Sequence, residues 1–192
     1  EFFKDVGLGF APGLDIANPE EECDVVLLTM GMAHKINQAG YTILDEVVKM
    51  DLRSFQLRVT VAIHEGFDIG ETFVNVPEQV GANWSSELVF LGFLSDQAMS
   101  SELRKCDAVV IFPQLGARES NSSIIGAMAH GAAVVTALDS NSPSWMVHGQ
   151  NIIDVSRLKQ FPSGEELKQI GKNAKETAAQ FTFDILAKKF KS

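Results

Sequence analysis

Only two cysteines, Cys23 and Cys106, occur among the 192 residues, and no CxxC pair is present. A disulfide framework, a cysteine-based zinc site and a thioredoxin-like redox centre therefore have no support. The four histidines (His34, His64, His130 and His148) are scattered, with no i, i+4 pair and no metal-ligand spacing, so no metal site is expected. Positive charge is also scarce: 16 Lys and Arg stand against 25 Asp and Glu, a formal net charge of −9. Nucleic-acid binding needs a basic footprint, which this balance argues against, and no nucleic-acid partner is expected. No apolar stretch approaches the roughly 20 residues that a membrane-spanning helix requires. No signal peptide stands at the start, which points to a cytoplasmic location. An initiator methionine is missing as well. The chain opens Glu1-Phe2-Phe3, which reads as an excised fragment or a processed product.

What is present is a globular composition, 45% apolar and 21% charged, on a length that suits one domain with a real core. Short apolar runs alternate with helical patterns. Cys23 to Met30, Leu57 to Ile63, Glu87 to Phe93, Asp107 to Phe112, Ala132 to Leu138 and Asn151 to Val155 read as six strands. Each cysteine precedes an Asp and an apolar run, so both are expected as free thiols at the starts of buried strands. Ile36, Ile43, Val47 and Met50 recur at helical spacing, giving a helix through about Lys49. Further helices are expected over Ser95 to Lys105, over Asn121 to His130 (ended by Gly131) and, as one or two pieces, from Ser163 to about Lys189. Ser163 followed by Glu166 spells a capping box. A loop with one short helix around Pro77 to Trp84 fills the weakly periodic stretch between the second and third strands.

Strands alternating with helices in this way give an α/β fold, a Rossmann-like parallel sheet of about six strands flanked by helices. In such sheets ligands bind where loops leave the carboxyl ends of the strands. The loops to watch start at Gly31, His64, Phe93, Pro113 and Asp139. The richest is the one after the fourth strand, Arg118-Glu119-Ser120-Asn121-Ser122-Ser123, which runs into a helix. Small polar residues at a helix start, with free N–H groups and the positive end of the dipole, suit a phosphate. The plainer reading is that Ser and Asn simply cap that helix.

The order of segments adds to this. Phe90-Leu91-Gly92-Phe93 precedes a helix, followed by the strand Ala108 to Phe112 with Pro113. A Glu-containing loop comes next, and then a helix ending Ala127-Met128-Ala129-His130-Gly131. The strand Ala133 to Ala137 and the segment Val147-His148-Gly149-Gln150-Asn151 complete the series. This order, over about Asp24 to Val155, resembles the C-terminal, donor-binding domain of retaining GT-B glycosyltransferases of the family 4-like kind (glycosyl transferases group 1). The resemblance implies a nucleotide-sugar donor, such as a UDP- or GDP-sugar, as substrate, with no cofactor and no metal. The parent enzyme would transfer a sugar to a glycan, lipid or other acceptor. Residues 1–20 would be an interdomain linker remnant, 21–192 a single nucleotide-sugar-binding domain, and the acceptor-binding half would lie before residue 1. This fragment alone would then bind without turnover. Peripheral membrane association of the parent enzyme is compatible with lipid-linked acceptors.

Residue by residue, the resemblance makes Glu119 the contact to the donor sugar and Lys35 the cation that neutralises the leaving diphosphate. Ser120, Asn121, Ser122 and Ser123 would hold the diphosphate, and Phe93 and Leu94 would approach the base. His34 occupies the loop where the family carries an arginine. The family's second glutamate, a ribose ligand, is replaced by Gly126, and Glu119 stands one residue short of the usual spacing. These departures keep two other readings open: a non-catalytic binding or scaffold module that has lost donor binding, and a nucleotide-sugar epimerase on the same fold. Trp84 and Trp145 read as packing residues rather than sugar platforms. The turn Asp139 to Pro143 reads as loop capping or a cleft wall.

Overall fold

The computed structural model describes residues 23–31, 37–61, 80–82 and 84–181. Six parallel strands form one sheet in the order β3-β2-β1-β4-β5-β6. They are β1 Val25–Gly31, β2 Phe55–Val61, β3 Glu87–Gly92, β4 Ala108–Val110, β5 Ala133–Thr136 and β6 Ile153–Asp154. Among the described residues four helices flank them: α1 Gln38–Lys49, α2 Asp96–Lys105, α3 Ser122–Ala129 and α4 Gly164–Ala178. The expected α/β architecture and all six strands are present, each shorter than or shifted by up to two residues from its apolar run. The pairing explains the trimming. Leu27 to Thr29 of β1 pairs with Ala108 to Val110, and only the residues that find ladder partners count as strand.

The central strands are apolar on both faces because both faces are covered. On one face Val25 and Leu27 of β1, Leu57 and Val59 of β2 and Val110 of β4 pack with Tyr41, Leu44 and Val48 of α1. On the other, Leu28, Val109 and Val134 meet Leu103 of α2, Ile124 and Met128 of α3, and Ala174 of α4. The fourth helix crosses beneath the sheet: Leu167 and Ile170 belong to the first cluster, Ala174 and Ala178 to the second.

Local chemistry fixes the ends of these helices. Ser95 caps α2 through a bond from Ala98 N. Ser163 and Glu166 form the capping box of α4. Gly131, just past α3, has φ +82, a conformation that residues with a Cβ resist. Gly40 in α1 faces the ring of Phe112, and a Cβ there would overlap it. The same contact is held by a backbone bond, Asn37 N donating to Phe112 O at 2.9 Å. The start of α1 is thereby fixed against the exit of β4.

Both cysteines are free and half-buried, just before β1 and β4. Burial, with Asp107 beside it, pushes the Cys106 thiol up to about 12, so it stays protonated and inert at neutral pH.

The sheet edge at β6 is closed by its own preceding turn. Gly149 N donates to Ile152 O, and Asp154 N donates to Nδ1 of His148 at 3.0 Å. This removes an open N–H from a strand edge. Burial first, and Arg157 second, hold the His148 pKa below its ordinary 6.5. A folded-state value below the unfolded one means that stability is fully present above about 6.5 and is lost as pH falls through the folded value. Protonating Nδ1 would also end its role as acceptor. Denaturant midpoints measured from pH 7.5 to 5 should therefore decline, and the decline just below 6.5 should be shallower in His148→Gln. Equal slopes would remove His148 as the cause.

Candidate functional site

Strands β1 and β4 are neighbours, yet the helices that follow them leave to opposite faces, α1 to the first cluster and α3 to the second. The strand order reverses at this point, and the carboxyl ends of two such strands are where doubly wound folds place ligands.

The loop from Ile111 to Asn121 follows β4 at this place. Ile111 N donates to Val135 O at 2.9 Å and Ala117 N to Ala137 O at 3.2 Å, which ties the loop to β5 and its exit. Gly116 turns the chain with φ +77. Arg118 then reaches the loop after β5: its Nη1 lies 2.9 Å from Oδ1 of Asp139 and its Nη2 2.7 Å from Oδ2. This two-pronged pair is the strongest geometry available between a guanidinium and a carboxylate. The bonds from Arg118, with a second from Asn141 N, hold the Asp139 carboxyl below the ordinary carboxylate range.

Asn121 is the N-cap of α3 by position, but its side chain makes no capping bond. Its Oδ1 instead accepts from Arg118 N at 2.6 Å. The plainer sequence reading, that the Ser and Asn residues here simply cap the helix, is corrected: Asn121 stabilises the turn before the helix. No side chain caps the helix start: Ser122 N donates to Ser120 O at 2.9 Å, and the next amide, of Ser123, with the positive dipole end, is left to an external acceptor. Ser122 and Ser123 are exposed on that first turn, and Ser120 and Glu119 are exposed just before it. Glu119 is steadied from the side, because Nε1 of Trp145 donates to its Oε1 at 3.3 Å. Trp145 itself packs on Phe181, with ring centroids 4.7 Å apart.

Of the residues expected at the site, Glu119, Ser120, Asn121, Ser122 and Ser123 are thus brought together at the exit of β4. Phe93, 45% exposed, and the half-buried Leu94 follow β3 on the same rim of the sheet, with β2 and β1 between them and β4. Lys35, His34 and His64 lie outside the described residues. The packing reading holds for Trp84, which is buried and donates to Glu87 O. A Cβ at Gly126 would meet nothing within 4 Å, so packing does not require a glycine where the family carries its second glutamate.

Arg118 and Asp139 were both placed on watched loops by the sequence, but their pairing was not anticipated. The signal that could have found it is their placement: one follows β4, the other follows β5, and adjacent parallel strands bring such exits together.

Comparison with solved structures decides the fold. Sucrose-phosphate synthase from Thermosynechococcus elongatus superposes with a TM-score of 0.61 at 14% identity, over 87% of this chain and 44% of that one. The Anabaena protein HepE in complex with UDP-glucose gives 0.53 at 18%, over 85% and 46%.

The chain has the fold of one GT-B half.

A third match is the C-terminal domain of a glycosyl transferase group 1 family protein from Francisella tularensis. It gives a TM-score of 0.53 at 16% identity, over 83% of this chain and 87% of that domain. This chain spans less than half the length of the first two proteins. No family model matches it, and no curated protein matches it. Among the described residues no helix is long and apolar enough to cross a membrane.

Proposed function

We propose that this chain is the donor-binding half of a glycosyltransferase, holding a nucleoside diphosphate sugar at the exit of β4. The observation that supports it most is the uncapped start of α3 at the strand-order reversal, with Asn121 turned away and Ser122 and Ser123 exposed. A diphosphate accepting from the Ser123 amide would satisfy it and meet the dipole. Glu119, steadied by Trp145, stands beside that position for the sugar hydroxyls. Lys35, which the sequence places between β1 and α1, would supply the charge that stabilises the leaving diphosphate as the glycosidic bond breaks. The acceptor would come from a partner half, so transfer by this chain alone is not expected.

Titration with UDP, GDP and ADP by calorimetry tests the reading. One of the three should bind with micromolar to low-millimolar affinity, and Lys35→Ala should weaken it severalfold. Ser123→Asp separates binding from folding. A carboxylate in the first turn of α3 favours the helix dipole, so thermal stability should hold or rise slightly. The same carboxylate repels the diphosphate, and affinity should fall more than about tenfold, or 1.4 kcal/mol. Absence of binding by all three nucleotides would favour the non-catalytic module, for which Gly126 at the ribose-ligand position is the specific motive.

A further inference from the structure

A cavity of about 380 Å³ opens away from the β4 exit, at the β6 edge. It lies between β6, the 3-10 turn Val155–Arg157 with the chain after it, and the first turns of α4. Ile153, Leu158 and Ile170 form an apolar wall, and His148, Arg157 and Lys159 supply the polar side. Its volume falls within the range of small-molecule sites.

Two cations, Arg157 and Lys159, line this cavity against one carboxylate, Glu166. Neither Arg157 nor Lys159 is in an ion pair among the described residues. The lining carboxylate, Glu166, is already engaged: Ser163 N and Ser163 Oγ both donate to its Oε2 at 2.8 Å. His148 contributes a donor of fixed identity. Its Nδ1 accepts from Asp154 N, so the neutral ring carries its proton on Nε2, which has no protein partner among the described residues. Two cations outside any ion pair among the described residues, against one carboxylate whose oxygen is held by Ser163, leave an excess of positive charge that, with one N–H donor and an apolar wall, suits an anion that carries a carbon body.

We infer that this cavity binds a phosphate-bearing small molecule of sugar-phosphate or mononucleotide size, its phosphate on Arg157, Lys159 and His148 Nε2 and its ring on Ile153, Leu158 and Ile170. The site is separate from the β4 exit and does not depend on the donor-binding reading.

The test is an NMR titration that follows the His148 imidazole and the Ile153 and Ile170 methyl groups. Glucose 6-phosphate and AMP are each compared with glucose and adenosine, and inorganic phosphate is run alone. At least one of the two phosphate esters should shift all three groups with a Kd below about 5 mM, and its neutral counterpart should bind at least about tenfold more weakly. The double variant Arg157→Gln/Lys159→Gln replaces two exposed side chains and should keep the fold. It should weaken the ester about tenfold or more, whereas Ser123→Asp should leave the ester's affinity unchanged. If the preferred probe is glucose 6-phosphate, the ligand class is a sugar phosphate; if AMP, a mononucleotide. The inference is overturned by any of three results: no shift with either ester at about 20 mM, equal affinity for the neutral counterpart or for inorganic phosphate, or undiminished binding by the double variant.

Discussion

Gly171→Ala should be the most damaging single-methyl change in this chain. Gly171 is buried in α4 where that helix crosses beneath the sheet, and a Cβ there would overlap the carbonyl oxygen of Gly131 and lie 3.2 Å from Ala133 N. These are backbone atoms at the end of α3 and the start of β5, so no side chain can swing aside. Relief requires α4 to move off the sheet. That movement would loosen Leu167 and Ile170 on one face and Ala174 and Ala178 on the other. Overpacking of this kind costs about 3 kcal/mol. At this chain length each kcal/mol corresponds to roughly 2–4 °C, so Tm should fall by about 6–12 °C. Gly131→Ala is the comparison. Its Cβ would meet nothing closer than 3.7 Å, and the cost there is the positive φ alone, about 1–2 kcal/mol. A scanning-calorimetry series in which Gly171→Ala unfolds no earlier than Gly131→Ala would show that α4 can shift freely.

Arg118→Ala should lower nucleoside diphosphate affinity about tenfold while leaving thermal stability nearly unchanged. The Arg118–Asp139 pair is partly exposed, and ion pairs that solvent reaches add little to global stability. Its effect is local. It fastens the loop after β4 to the loop after β5, and the same residue's backbone N–H engages Asn121, which keeps the start of α3 uncapped. Arg118→Lys keeps the charge but not the two parallel bonds, so it should give an intermediate loss. Asp139→Asn assigns the cause. If Arg118 acts by positioning the loop, Asp139→Asn should weaken binding to a similar degree. If Arg118 contacts the diphosphate directly, Asp139→Asn should leave affinity intact or raise it. Calorimetry on the three variants separates the two outcomes, and unchanged affinity in all of them would remove the clamp from the site.

The inner strands β1, β4 and β5 were legible because burial on both faces makes each an unbroken apolar run, as in Val25-Val26-Leu27-Leu28 and Ala133-Val134-Val135, and β2 was legible from its alternation, Phe55-Gln56-Leu57-Arg58-Val59. The ends of α2, α3 and α4 were legible from Ser95, Gly131 and the Ser163–Glu166 pair, whose chemistry is local. The candidate loop was legible for the same reason: a polar run between an apolar strand and a helix can only sit at a strand exit. Strand boundaries were not, because they depend on which neighbour offers a ladder partner.

The sequence by itself determined the parallel α/β class, the six strands and the place of the polar loop at a helix start, since these follow from hydrophobic period and from residues that act within three or four positions of one another. Tertiary structure alone decided what that loop can do. Arg118 and Asp139 are 21 residues apart, and Glu119 and Trp145 are 26 apart; they meet because β4 and β5 lie side by side. Tertiary structure also decided that Asn121 turns from the helix to Arg118. A side-chain oxygen can satisfy either amide, and the fastening of the loop to β5 selects the one before the helix. The cavity at the β6 edge likewise exists only once the chain from Val155 to Pro162 has crossed to the start of α4.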